Sequence, residues 1–164
     1  KSAVLGNSSK GFKQFLKTLT GGRITIGALG LGTAQGAFAR ALEYSQEREA
    51  FGKSINNFQG VSFKLSDMAT QIEAARHLVY YAAWKKDQGL PVIREAAMAK
   101  LFSSETAMQV TTEAIQVLGG YGYIKEYDVE RFFRDAKILE IGEGTSEIQR
   151  MIIARDLIQS VQTV

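Results

Sequence analysis

A carboxylate set between two glycines is the most unusual local feature of the sequence: Ile141-Gly142-Glu143-Gly144-Thr145-Ser146-Glu147-Ile148-Gln149-Arg150. Two chemistries suit it. The glycines remove side-chain bulk, so a substrate could reach the Glu143 carboxylate and use it as a general base. Alternatively the segment starts a helix, with Thr145 as N-cap, Ile148 following it and acidic charge near the positive end of the dipole. Composition by itself favours the second. Other stretches offer less. His77 is the single histidine and has no Cys or His partner at ligand spacing, so its position in a helix gives a metal site little support. Gly27-Ala28-Leu29-Gly30-Leu31-Gly32 has the spacing G-x-x-G-x-G rather than G-x-G-x-x-G. No βαβ pattern surrounds it, which argues against a Rossmann dinucleotide fold. A phosphate-loop lysine motif and a G-x-S-x-G elbow are missing as well.

The elements that must position Glu143 read as helices. One proline against sixteen glycines in 164 residues leaves few enforced breaks. Val61, Leu65, Met68, Ile72, Ala75, Val79 and Ala82 recur at steps of four and three, predicting a helix from about Phe58 to Gln88 that Gly89-Leu90-Pro91 closes. Leu101, Ser104, Met108, Thr111, Ile115 and Leu118 predict another that stops at Gly119-Gly120. Ile24, Ala28, Leu31, Gln35, Phe38 and Leu42 predict a helix over Gly22 to Arg48, whose glycine density points to close approach of a helix or ligand. Shorter helices are expected at Lys10 to Leu19, Tyr127 to Leu139 and Thr145 to Gln159, with a loop from Tyr121 to Glu126 and no strand. Trp84, Tyr80 and Tyr81 read as bundle packing. The expected fold is all-α, an up-and-down four-helix bundle with additional short helices.

Composition bounds the function. With 45% hydrophobic and 23% charged residues the chain can bury a core as a single domain, and zero cysteines exclude disulfides and cysteine-bound metals. A net charge of +3 is too small to suggest nucleic acid, and no apolar run approaches the ~20 residues of a membrane span. Lys1-Ser2-Ala3-Val4 does not begin a signal peptide, and the polar stretch Gly6 to Gly11 resembles a linker, so the sequence reads as a piece of a longer protein.

Seven blocks in order resemble the C-terminal helical domain of the acyl-CoA dehydrogenase flavoproteins over essentially all of residues 1–164. They are Gly11-Phe12, Thr20-Gly21-Gly22-Arg23, Glu47 to Lys53, Gln59, Gln116 to Gly122, Arg134 to Lys137 and Glu143 to Arg150. The resemblance implies that Glu143 removes the proton α to a thioester while the β-carbon gives a hydride to FAD. It also implies a hydrogen bond from the base's own backbone N–H to the thioester carbonyl, an oxyanion-hole device. In some relatives the base comes from the earlier glycine-rich helix; Thr20 to Ala41 has no Asp or Glu, which excludes that variant.

The same resemblance implies further roles. Arg48 matches an arginine that pairs with the FAD pyrophosphate of a neighbouring subunit. Phe51, Gln59, Gln116, Val117, Leu118, Gly119 and Gly120 match further FAD contacts, and Thr145, Ser146 and Glu147 match a stretch along the flavin nucleotide from the other side. Thr20, Gly21, Gly22 and Arg23 match a segment that contacts CoA, and Gly144 would lie against the substrate. Two departures stand out: Thr20 stands where Asp is commonest, and Gly142 where many relatives carry an aromatic. Family members place an N-terminal helical domain and a middle β-domain before this one. The chain alone is therefore expected to fold, to self-associate through exposed helix faces and to bind FAD weakly or not at all. The implied whole is an oxidoreductase of fatty acid metabolism, a homodimer or homotetramer in bacterial cytoplasm or mitochondrial matrix that passes electrons to electron transfer flavoprotein. An acyl-CoA oxidase-like relative and a non-catalytic helical interaction module stay open as alternatives.

Overall fold

The computed structural model describes residues 8–161, so part of the linker-like stretch lies outside it. Helix α1 spans Gly11–Glu47 without a break, where the sequence pattern suggests two helices meeting near Gly21. Glycine costs a helix up to ~1 kcal/mol per residue, but packing along its length outweighs that. A tight hairpin follows, β1 (Glu49–Ala50) pairing antiparallel with β2 (Lys53–Ser54). Phe51 and Gly52 both have positive φ, the pattern of a two-residue hairpin turn, and no alternation long enough to announce a strand exists in so short a ladder. Then come α2 (Gln59–Asp87), α3 (Ile93–Leu118), a single turn α4 (Gly120–Tyr123), α5 (Val129–Ile141) and α6 (Ser146–Val161). The turn α4 lies where a loop is expected, and α5 starts two residues later than the pattern suggests.

Contacts fix the directions. Gly27 of α1 faces Ala99 and Gly30 faces Ser103, so α1 and α3 run parallel, while α2 runs back against α1, bringing Lys86 to Gly21 and Val79 to Gly27. Phe132 meets Gly36, and Arg150 and Asp156 of α6 pair with Glu105 and Arg94 of α3, so α5 and α6 both run down. The fold is an up-down-up-down four-helix bundle whose fourth limb is α5 and α6 together, interrupted at residues 142–145. Helix α3 packs against α1, α2, α5 and α6.

Small residues let this happen. Ala34, Ala37, Ala41, Ala75 and Ala114 join Leu31, Met68, Ile72 and Val110 in the main core. A Cβ at Gly30 would lie 2.9 Å from the Ser103 carbonyl oxygen, whereas one at Gly32 meets nothing within 4 Å. Gly32→Ala is therefore expected to stabilise the fold by about 0.5–1 kcal/mol through helix propensity. Gly30→Ala is expected to destabilise it by about 1–2 kcal/mol, because overpacking against backbone outweighs that gain. Urea midpoints of the two variants check the opposite signs. Tyr80, Tyr81 and Trp84 do not pack in the bundle; they are exposed on α2, with Tyr81 and Trp84 stacked at 6.0 Å between centroids.

Candidate functional site

The interruption in the fourth limb has a local cause. Gly142 closes α5 by donating its N–H to the Ile138 carbonyl (2.8 Å), and Glu143 and Gly144 then take φ of +57° and +96°. Left-handed backbone is uncommon for a glutamate, so other contacts must hold the turn. On the far side the Ile148 N–H donates to the Thr145 hydroxyl (3.4 Å), the N-cap expected from the sequence. The Thr145 side chain also hydrogen-bonds the Glu147 carboxyl, holding it below the usual carboxylate range. Side chains from two helices occupy the carbonyls of the turn. Lys100 Nζ of α3 donates to the Gly144 oxygen at 2.8 Å, and Gln149 Nε2 of α6 donates to the same oxygen at 2.9 Å and to the Glu143 oxygen at 3.3 Å.

This turn points the Glu143 side chain at the N-terminal half of α1. A Cβ at Gly22 would stand 2.6 Å from Glu143 Oε2, so the carboxylate lies on a helix surface that only glycine leaves bare. A pocket of about 430 Å³ opens there, lined by Leu16, Leu19, Ile148, Met151 and Ile152 with Glu143, Gly144, Arg23 and Arg155. Arg23 is 7% exposed, and its Nε has no hydrogen-bond partner among the described residues. Burial pushes its guanidinium below the ordinary value, and the Glu143 charge acts the other way. Thr20 and Arg23 share a neighbouring pocket of about 300 Å³. Thr20 and Gly21 also line a groove of about 630 Å³ that carries Lys13, Lys17 and Lys86 over Leu16, Val92 and Ile93. An exposed carboxylate, an apolar pocket and a basic groove thus share one end of the bundle.

A second group gathers at the other end. Arg48 is the C-cap of α1, donating its N–H to the Tyr44 carbonyl at 2.9 Å, where the negative end of the helix dipole favours a cation. Its guanidinium lies 5.9 Å from the Tyr121 ring centroid, within cation–π reach. Arg48, Tyr44, Ile55, Tyr121 and Ile124 line a cavity of about 630 Å³ with Val117, Leu118, Gly119 and Gly120. Gly119 has φ +61°, and a Cβ on either glycine would enter open space, so the diglycine bares its backbone. Gln59, the exposed first residue of α2, and exposed Gln116 stand outside this lining, as does Phe51, 98% exposed at the hairpin tip against the Phe58 ring. Thr145, Ser146 and Glu147 lie at the start of α6, with Ser146 buried and Glu147 exposed.

The candidate residues therefore form two clusters, not one. The 25 residue steps from Gly22 to Glu47 along α1 amount to roughly 38 Å at 1.5 Å rise, a span no dinucleotide bridges. Residue patterns did not reveal Lys100 or Gln149; the one available signal is a lysine inside the apolar run Ala96 to Phe102. Tyr44 could have been found four residues before Arg48, on the same helix face.

Known proteins resemble the chain closely. The family model described as acyl-CoA dehydrogenase, C-terminal domain, matches residues 9–158. A probable acyl-CoA dehydrogenase of Bacillus subtilis is 57% identical over 156 residues, which are 95% of this chain and 41% of that protein. The solved structure of butyryl-CoA dehydrogenase from Megasphaera elsdenii superposes with a TM-score of 0.93 at 55% identity, covering 94% of this chain and 40% of the other. A chain in a structure of the electron transferring flavoprotein of Acidaminococcus fermentans also gives 0.93, at 53% identity, covering 93% and 40%. The chain thus spans about two fifths of the length of the relatives it matches.

Proposed function

Because the chain belongs to the acyl-CoA dehydrogenase family, we propose that it is the C-terminal helical domain of an FAD-dependent enzyme that desaturates an acyl-CoA thioester, with Glu143 as the base. The observation that carries this reading is the placement of the Glu143 carboxylate at the helix interruption, over bare Gly22 and facing the apolar pocket. The acyl chain occupies that pocket, with its α-carbon at Glu143 and its β-carbon beyond. The CoA portion leaves along Arg23, Thr20 and the basic groove, where lysines meet its phosphates. Glu143 takes the α-proton, and the backbone N–H of the same left-handed residue is free of helix hydrogen bonding and suited to the thioester carbonyl.

The cradle at the other end fits a dinucleotide: a cation at a helix end, glycine backbone without side chains and an aromatic wall. FAD, when bound, supplies the acceptor for the hydride that leaves the β-carbon. Arg48 pairs with its pyrophosphate, and Val117 to Gly120 approach it through backbone, joined by Phe51, Gln59 and Gln116 at the rim. Thr145, Ser146 and Glu147, at the start of α6 beside Glu143, would contact the nucleotide of the site their own Glu143 serves. The distance between the clusters supports a flavin site assembled from two copies of the chain, with Arg48 of one serving the Glu143 of another, and hence a homo-oligomer. Electron transfer flavoprotein is the proposed acceptor, since a close relative occurs in a structure of that protein.

Anaerobic titration of the full-length flavoprotein with acyl-CoA thioesters of graded length tests the reading. Bleaching of the flavin absorbance by one length class is expected. A flavin untouched by every thioester would contradict the proposal, and hydrogen peroxide on admitting oxygen would assign the oxidase-like alternative.

A further inference from the structure

We infer that Lys100 is a positioning residue for Glu143, its buried ammonium acting with the Gln149 amide to hold the two carbonyls of the helix interruption and so set where the carboxylate points. The inference rests on the assignment of Glu143 as base. Lys100 and Gln149 are both fully buried, at 0% exposure, in a bundle whose other fully buried side chains are mostly small or aliphatic. Burying an ammonium is costly and needs a compensating partner. Its hydrogen-bond partner is the Gly144 oxygen at 2.8 Å. The carboxylates of Glu140, Glu105 and Glu147 act on it only through the field, and burial drives its affinity for the proton down.

The need for such a residue follows from the interruption. In a continuous fourth limb, N–H groups four residues on would satisfy the carbonyls of Glu143 and Gly144. The Ile148 N–H goes instead to the Thr145 hydroxyl, and the two carbonyls turn inward to Lys100 and Gln149. Two donors from different helices on one oxygen fix the orientation of the peptide plane after Gly144 and, with the 3.3 Å contact to the Glu143 oxygen, of the plane before it. With both planes fixed, the left-handed Gly144 is set, and Glu143, at φ +57°, is held between that turn and the closed end of α5 with its carboxylate against Gly22. A lysine is suited to this because its long stem, carried on α3, lets the head reach across to the fourth limb.

Lys100→Met keeps the stem and removes the donor. In the full-length flavoprotein it is expected to keep flavin content and the KM for acyl-CoA, while the rate of flavin reduction per bound flavin falls on the order of 10- to 100-fold. Amide hydrogen exchange should quicken in peptides covering 142–146 and stay unchanged in α2. Gln149→Met should act in the same direction with a smaller effect, and it carries the test if Lys100→Met does not fold. A wild-type rate per flavin with unchanged exchange at the turn overturns the inference. Glu143→Gln, run in parallel, separates the two levels. If that variant still bleaches its flavin, the base assignment fails; if it does not and Lys100→Met is unaffected, only the role of Lys100 fails.

Discussion

Glu143→Gln in the full-length protein is expected to lower acyl-CoA-dependent flavin reduction roughly 10⁴-fold, the upper range for loss of a general base. Flavin content and thermal midpoint should stay where they are. The hydrogen bonds at this residue are made by its backbone carbonyl, which accepts from Gln149, and glutamine has the same shape. The side chain is exposed on this chain, so the substitution should change stability by no more than about 0.5 kcal/mol. Only the ability to take a proton is lost. Glu143→Asp separates chemistry from reach: it keeps a carboxylate but withdraws it from Gly22, and an intermediate loss is expected. Flavin reduction followed in a stopped-flow instrument reads all three proteins, and an unchanged rate in the glutamine variant would place the base elsewhere.

Much of this arrangement is legible in the sequence because its causes are local. The stripe from Val61 to Ala82 has the period of a helix with one buried face, and Leu65, Met68, Ile72, Ala75, Val79 and Ala82 are all buried. The glycines of α1 correctly pointed to close helix contact, and Thr145 caps α6 as its position suggests. What the pattern missed depends on partners distant in the chain. Helix α1 runs unbroken through Gly21-Gly22 because it packs along its length against helices distant in the chain, with Lys86 and Glu143 lying against these glycines from 65 and 121 residues away. Exposure of Tyr80, Tyr81 and Trp84 could not be told from burial, since large aromatics at helical spacing suit either. Lys100 looked like any surface lysine, because nothing in an i, i+4 pattern reveals that α3 is covered by α1, α2, α5 and α6.

The separation of the two clusters carries the largest structural consequence. Arg48→Glu would set a carboxylate where a pyrophosphate is held, and the protein is expected to be isolated with little flavin. A charge-assisted hydrogen bond is worth about 1.5–3 kcal/mol, roughly 10- to 150-fold in affinity, and repulsion adds to that loss. Arg48→Glu and Glu143→Gln proteins should then both be inactive alone, for unrelated reasons. In a mixed oligomer with Arg48 and Glu143 drawn from different copies, one kind of site carries both defects and the other carries neither. Random mixing makes half the paired subunits heterologous, so co-expressed variants should recover about one quarter of wild-type activity. Co-expression of the two full-length variants, followed by activity per subunit and flavin content of the whole unselected population, is the most direct measurement. Recovery near a quarter is the predicted result. Activity no higher than in the separate variants, from an oligomer shown to contain both, would contradict a site shared between subunits.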